Sequence, residues 1–141
     1  MDKIRVLFVC IHNSARSQMA EELLRHLGGD RFEVESAGID PGKLNPLAVE
    51  TLKEQGIDIS HKKTQKVTDL VEKRRRYDWV ITVCDESNAE RCPVFPGQAK
   101  RLHWNFEDPS RFEGSREEKL KKTKMIRDQI KKMIGDWLKV V

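Results

Sequence analysis

The chain has 141 residues, a length typical of one domain with its own core, and a formal net charge of +4. Acidic and basic residues are too evenly mixed for this excess to indicate nucleic-acid binding. There is no run of 18 apolar residues that would predict a membrane span, and the N-terminal residues lack the features of a signal peptide. We expect a cytoplasmic, monomeric protein with one domain, residues 1–141, that binds neither nucleic acid nor membrane.

Short apolar segments alternate with helical patterns along the chain. Strands are predicted at 4–9, 32–36, 79–83 and 101–104, and helices at 16–27, 46–55, 67–73 and 115–139. Strands and helices in alternation predict βαβ units on a parallel sheet.

The first strand ends on Cys10, and the first helix begins at Arg16 and Ser17. A loop between a strand and a helix can direct successive backbone N–H groups into one concavity, which binds a tetrahedral oxyanion. A helix N-terminus and a guanidinium favour a nucleophilic thiolate at Cys10, and the fork of Arg16 matches two oxygens of the anion. Ser17 can donate to the sulfur, and Asn13 tolerates left-handed backbone that shapes such a loop. If Cys10 were simply a small buried residue, Arg16 and Ser17 would be unexplained.

Residues typical of helix ends support these boundaries. Gly28-Gly29 closes the first helix, and Gly56 follows the second. Asn45 is expected to cap the second helix ahead of Pro46, and Ser115 with Glu118 forms a capping box before the last helix. The last helix carries an apolar stripe expected to pack on the sheet: Ile126, Ile130, Met133, Ile134, Trp137 and Leu138.

Three further residues are candidates for chemistry. Asp108, before the rigid Pro109, could supply a proton to a leaving oxygen, or it could simply cap an Asp-Pro turn. Cys84 ends the third predicted strand, and Cys92 follows after the polar segment 85–91. Because the C-terminal ends of parallel strands share one edge, Cys10 and Cys84 are expected to approach each other. Redox thiols fit this pattern better than inert core cysteines, and the spacing matches no common zinc site.

The sequence CIHNSARS, from Cys10 to Ser17, resembles the active-site loop of the low-molecular-weight protein tyrosine phosphatases. Those phosphatases usually have proline in place of Gln18, and they often have a second cysteine in place of Ala15. Several motifs are instead similar to the thioredoxin-coupled arsenate reductases built on the same fold: Gln18-Met19-Ala20-Glu21, Ser36-Ala37-Gly38, Asn45-Pro46, Asp58-Ile59-Ser60 and His103-Trp104.

The resemblance implies an α/β three-layer sandwich in which a four-stranded parallel sheet is flanked by helices. It also implies an arsenate reductase, for which phosphate and sulfate are competing oxyanions. The catalytic residues would be Cys10, Arg16, Ser17, Cys84, Cys92 and Asp108. The oxyanion would be bound by the whole loop: Cys10, Ile11, His12, Asn13, Ser14, Ala15, Arg16 and Ser17.

By the same resemblance, a Cys10–Cys84 disulfide would form first and a Cys84–Cys92 disulfide second, and thioredoxin would reduce the latter. Glutaredoxin with glutathione is an alternative reductant. No tightly bound cofactor is implied, although some relatives bind potassium through residues that match Asn13, Glu21 and Ser36. A fourth, carboxylate ligand of those relatives has no clear counterpart in residues 61–66. Two other functions stay open at this point, a low-molecular-weight phosphatase and a non-catalytic oxyanion sensor.

Overall fold

A computed structural model describes residues 3–83 and 98–141 of the protein. Within them, a parallel sheet of order β2-β1-β3-β4 is formed by β1 (Ile4–Cys10), β2 (Phe32–Gly38), β3 (Trp79–Thr82) and β4 (Lys100–His103). The helices of these residues are α1 (Arg16–Gly28), α2 (Pro46–Lys53), α3 (Val67–Glu72) and α4 (Arg116–Leu138). The predicted bounds agree with these to within about two residues. Cys84, Cys92 and the segment 85–91 lie outside the described residues.

The central strand β1 divides the core into two layers of side chains. Because successive residues of a strand point to opposite faces, Val6 and Phe8 lie on one side of the sheet, and Leu7 and Val9 lie on the other. The first pair belongs to a cluster built with α1, α2 and α4, and the second pair packs with residues of α3. Helices on both faces of the sheet confirm the predicted three-layer α/β fold.

Most of the apolar stripe predicted on α4 is buried against the sheet. Ile126, Ile130 and Ile134 are at most 4% exposed, and the ring of Trp137 lies edge-on to that of Trp79 at 5.4 Å. Met133 is an exception, because it is 39% exposed. The prediction for Met133 was wrong, since its helical position brings it only to the edge of the buried stripe.

Capping side chains fix where α2 and α4 begin. Asn45 Oδ1 accepts from the Leu47 N–H at 2.8 Å, and Ser115 Oγ accepts from the Glu118 N–H at 3.1 Å. These bonds satisfy donors that a helix N-terminus otherwise leaves unpaired, so the predicted caps are confirmed.

The C-terminal ends of the strands meet at one edge of the sheet. Cys10 lies beside Gly38 in the β1–β2 register, and Val9 lies beside Thr82 in the β1–β3 register. In an open parallel sheet this edge is the usual place for a ligand. No helix among the described residues is long and apolar enough to cross a membrane.

Candidate active site

The loop between β1 and α1 is fixed along one side by the segment that follows β2. Backbone N–H groups of residues 39, 40, 42 and 45 donate at 2.7–3.1 Å to the carbonyl oxygens of Cys10, Ile11, His12 and Ser14. In a trans peptide the next N–H points away from the preceding carbonyl, so the loop N–H groups face the opposite side. On that side, the Asn13 N–H donates to Cys10 Sγ at 3.1 Å. One loop N–H, that of Asn13, therefore contacts the sulfur, and the side of the loop that the other N–H groups face is suited to an anion.

Gly38 lets the loop approach β2 this closely. A Cβ atom at Gly38 would lie 2.8 Å from both the Asn13 nitrogen and the Ile11 oxygen, a distance that side chains do not tolerate. The imidazole of His12 adds a contact between its Nδ1 and the Asp40 oxygen at 2.8 Å. The Ser36-Ala37-Gly38 motif thus contributes a close backbone approach at its last residue.

Asn13 adopts the left-handed conformation predicted for it, with φ of 53°. The Gln65 N–H donates to its Oδ1 at 3.1 Å, and because a backbone N–H can only donate, this bond fixes the orientation of the amide. The Asn13 Nδ2 then donates to Ser17 Oγ at 2.7 Å and to Ser36 Oγ at 3.0 Å. The buried amide therefore orients both hydroxyl groups.

Cys10 Sγ and Ser17 Oγ are 2.9 Å apart. Since Ser17 already accepts a hydrogen from Asn13, its own hydrogen is available to the sulfur. Two donors, the Asn13 N–H and the Ser17 O–H, can therefore converge on Cys10 Sγ.

The N-terminus of α1 faces the same concavity. Its N-cap residue is Ala15, and no side-chain capping bond is found there among the described residues. An uncapped helix start leaves first-turn N–H groups available to an anion, and the helix dipole adds positive potential at the same place.

Arg16 connects the loop to the segment after β4. Its Nη1 donates to the Phe106 oxygen at 3.0 Å, and its Nη2 lies 3.5 Å from Asp108 Oδ2. Both side chains of the ion pair are buried. Asp108 Oδ1 also accepts from the Ser110 N–H at 2.9 Å, so the residue caps the turn at Pro109 while it reaches the site. The interpretation of Asp108 as a turn cap is confirmed, and its role as a proton donor stays a prediction.

The three residues predicted as potassium ligands are connected by hydrogen bonds. Ser36 accepts from Asn13 and donates to Glu21 Oε1 at 2.6 Å. The second carboxylate oxygen of Glu21 is in contact with Arg25 Nη2 at 2.9 Å and with the ammonium of Lys62. Oxygens already bonded to donors and to two cations do not fit a potassium ion, so potassium binding stays a prediction without support from this geometry.

The neighbouring carboxylate of Glu22 belongs to the same group of charges. Its Oε1 lies 3.0 Å from Lys62 Nζ and also contacts Arg25. Burial opposes ionisation of Glu22, but attraction and hydrogen bonds from Lys62 and Arg25 outweigh it and hold the pKa of this carboxyl below its ordinary value.

Two glutamines contribute to the site although the sequence did not single them out for this role. Gln18 Nε2 donates to Asn13 Oδ1 at 3.1 Å and to the Lys63 oxygen at 3.3 Å. Gln65 holds Asn13 through its N–H and donates from Nε2 to the Ser36 oxygen at 2.8 Å. Gln18 stood out in the sequence because the phosphatases usually have proline there, and proline could not make these bonds. Gln65 lies in an irregular segment with no pattern that marks it.

The chain leaves β3 close to the candidate nucleophile. The Val83 N–H donates at 2.8 Å to the oxygen of Val9, the residue before Cys10. Cys84 follows Val83 in the sequence, but Cys84 and Cys92 themselves are outside the described residues.

A parallel α/β sheet with a cysteine and an arginine on either side of an amide-lined loop defines a class of oxyanion-binding proteins with a cysteine nucleophile. The chain belongs to the low molecular weight phosphotyrosine protein phosphatase family, whose model matches residues 5–141.

Similar proteins include arsenate reductases. The arsenate reductase of Shouchella clausii is 41% identical over 131 residues, which cover 92% of this chain and 91% of that protein. The solved structure of an arsenate reductase in the phosphate-binding state superposes with a TM-score of 0.75 at 29% identity and covers 95% of both chains. The thioredoxin-dependent arsenate reductase of Corynebacterium glutamicum gives a TM-score of 0.63 at 33% identity and covers 96% of this chain and 63% of that one. The predicted resemblance to arsenate reductases of this fold is confirmed.

Proposed function

We propose that the protein reduces arsenate to arsenite. The observation that carries this proposal is the environment of Cys10 Sγ, which two hydrogen-bond donors contact at 2.9 and 3.1 Å at the bottom of an amide-lined loop. The arsenate reductases among its relatives, similar over more than nine-tenths of the chain, support arsenate as the oxyanion.

The first step is nucleophilic attack on arsenic. The Cys10 thiolate forms a sulfur–arsenic bond, and one arsenate oxygen leaves as water or hydroxide. The loop N–H groups and Arg16 bind the remaining oxygens, and their positive potential stabilises the charge that develops there. Asp108 assists the departing oxygen by proton transfer, a role supported by its burial at 3.5 Å from Arg16.

The second step moves two electrons from thiols to arsenic, and the third step transfers the resulting disulfide away from Cys10. The Cys84 thiolate attacks Cys10 Sγ, a disulfide forms, and the sulfur–arsenic bond breaks with its electron pair left on arsenic, which departs as arsenite. Cys92 then attacks Cys84, forms the Cys84–Cys92 disulfide, and releases the Cys10 thiolate. The hydrogen bond from Val83 to Val9 supports this exchange, because it brings the residue before Cys84 beside the end of β1.

A dithiol protein of the thioredoxin kind regenerates the enzyme by reducing the Cys84–Cys92 disulfide. The thioredoxin-dependent relative from Corynebacterium glutamicum supports this reductant over glutathione with glutaredoxin. The two reductants are distinguished by running the same arsenate assay once with thioredoxin and once with glutathione and glutaredoxin, and by following NADPH consumption in each.

The test of the proposed function compares arsenate reduction with phosphate-ester hydrolysis. Wild type should oxidise NADPH in the presence of arsenate, thioredoxin and thioredoxin reductase, and Cys84→Ser should stop this turnover. Of the three cysteines, only Cys10 should be required for hydrolysis of p-nitrophenyl phosphate. A protein that hydrolyses the ester and consumes no NADPH would be a phosphatase, and one that binds sulfate but does neither would be an oxyanion sensor.

A further inference from the structure

Four charged side chains, Glu21, Glu22, Arg25 and Lys62, form a group behind the active-site loop that we call the charge cluster. Both cations contact both carboxylates, and the side chains of Glu21, Glu22 and Lys62 are at most 14% exposed. The two carboxylates balance the two cations, so the charge cluster is formally neutral.

Lys62 reaches the nucleophile through a directed chain of hydrogen bonds. Its ammonium contacts Glu21 Oε2, and Glu21 Oε1 accepts from Ser36 at 2.6 Å. Ser36 accepts in turn from Asn13, whose Nδ2 also donates to Ser17 beside Cys10 Sγ. Lys62 and Arg25 together hold the Glu21 carboxylate, and Glu21 in turn holds the Ser36 hydroxyl that the Asn13 amide contacts.

We infer that Lys62 is a built-in cation that takes the place of a potassium ion and positions the active-site loop through Glu21, Ser36 and Asn13. A potassium ion added to the neutral charge cluster would leave one uncompensated positive charge among largely buried groups, which is costly. Loss of the Lys62 charge would leave one negative charge in excess and make the same place favourable for a small cation.

Lys62 is well suited to this role by its location. It lies in the irregular segment 61–66, which is held beside the active-site loop by the bond from the Gly38 N–H to the Gln65 oxygen at 2.8 Å. Its side chain is 14% exposed, whereas that of Arg25 is 44% exposed, so Lys62 is the more buried of the two cations. The buried ammonium also lowers the pKa of the adjacent Glu22 together with Arg25, which is consistent with strong electrostatic contact.

The inference uses the oxyanion-binding loop of the proposed function but does not depend on arsenate reduction. The experiment therefore measures the thermal midpoint and sulfate affinity of the full chain in potassium chloride and in choline chloride at equal ionic strength. Lys62→Ala removes the charge and opens space, Lys62→Met removes the charge but keeps the volume, and Lys63→Ala is the matched control at an exposed neighbour.

Wild type should have the same thermal midpoint and sulfate affinity in the two salts, and so should Lys63→Ala. Lys62→Ala should bind sulfate roughly tenfold more weakly in choline chloride and regain most of this affinity and its thermal midpoint in potassium chloride. Lys62→Met should have a weaker sulfate affinity than wild type in both salts.

Two results would overturn the inference. One is potassium stabilisation of the wild type, because a potassium site would then exist beside Lys62. The other is a Lys62→Ala variant with unchanged sulfate affinity in choline chloride or with no response to potassium. If neither Lys62 variant folds, the comparison of wild type in potassium chloride and in choline chloride tests the inference by itself. Arsenate turnover is measured separately and tests only the proposed function.

Discussion

Arg16 and Asp108 form a buried ion pair between the start of α1 and the loop after β4, with 3.5 Å between Nη2 and Oδ2. The guanidinium is also hydrogen-bonded to the Phe106 oxygen, so the loop that carries Asp108 is attached directly to the loop that carries Cys10. This attachment brings a carboxyl group and a thiol, far apart in the sequence, to the same edge of the sheet.

Asp108→Asn should separate proton transfer from oxyanion binding. The amide keeps the shape of the side chain but cannot act as an acid, so kcat for arsenate reduction should fall by about 10²–10⁴-fold. Sulfate affinity, measured by calorimetry, should stay within a few-fold of wild type because the loop N–H groups and Arg16 are unchanged. A variant with wild-type kcat would exclude Asp108 as the proton donor.

Ser17→Ala should remove one of the two hydrogen bonds to Cys10 Sγ and slow the attack on arsenate. A hydrogen bond to a charged group contributes about 1.5–3 kcal/mol, so kcat/KM for arsenate should fall roughly 10–100-fold. Ser17→Thr keeps the hydroxyl and is the matched control, for which a much smaller loss is expected. Equal losses in both variants would indicate a packing effect rather than the hydrogen bond to Sγ.

Substitutions at Asn13 should reveal how much its left-handed backbone conformation lowers the free energy of unfolding when the residue carries a Cβ atom. Asn13→Gly and Asn13→Ala both lose the side-chain hydrogen bonds, but only the alanine carries a Cβ atom at φ of 53°. The free energy of unfolding, measured with urea, should be lower for Asn13→Ala than for Asn13→Gly by about 1 kcal/mol. The reverse order would show that the loop does not hold this conformation in solution.

Tyr77 should make the fold sensitive to alkaline pH. Burial and the negative charge of Glu35 raise the pKa of its phenol well above the ordinary value of about 10. Because the pKa of Tyr77 is higher in the folded state, its neutral phenol contributes its full stabilisation below about pH 10, the pKa of the unfolded chain. This stabilisation is lost as the pH rises toward the folded pKa.

The corresponding measurement compares urea unfolding of wild type and Tyr77→Phe at several pH values. Between about pH 10 and 12 wild type should lose more stability than Tyr77→Phe, which has no phenol to ionise. If the free energies of unfolding of the two proteins fall in parallel with pH, the raised pKa of Tyr77 would be contradicted.

The sheet, the helix bounds and the active-site loop could be predicted because each has a local signal. Apolar runs mark the strands, spacing marks the helices, and the motif from Cys10 to Ser17 marks the loop. Asn13 was expected to shape the loop, and its φ confirms the conformation.

The contacts from residues 61–66 could not be predicted in the same way. This segment is irregular, and it reaches the site because Lys66 pairs with Gly38 as an isolated bridge and the Gly38 N–H donates to the Gln65 oxygen at 2.8 Å. Such long-range contacts leave no periodicity in the sequence. The packing of Lys62 against Glu21 therefore emerged only from the structure.

The central claim, two-electron reduction of arsenate by the protein's own thiols, is tested most directly by a single turnover without external reductant. Fully reduced protein is mixed with excess arsenate, and arsenite and remaining thiols are counted per chain. Wild type and Cys92→Ser should each release one arsenite, the former with a Cys84–Cys92 disulfide and the latter with a Cys10–Cys84 disulfide, whereas Cys10→Ser should release none. Absence of arsenite from a wild-type protein that still hydrolyses p-nitrophenyl phosphate would contradict the account.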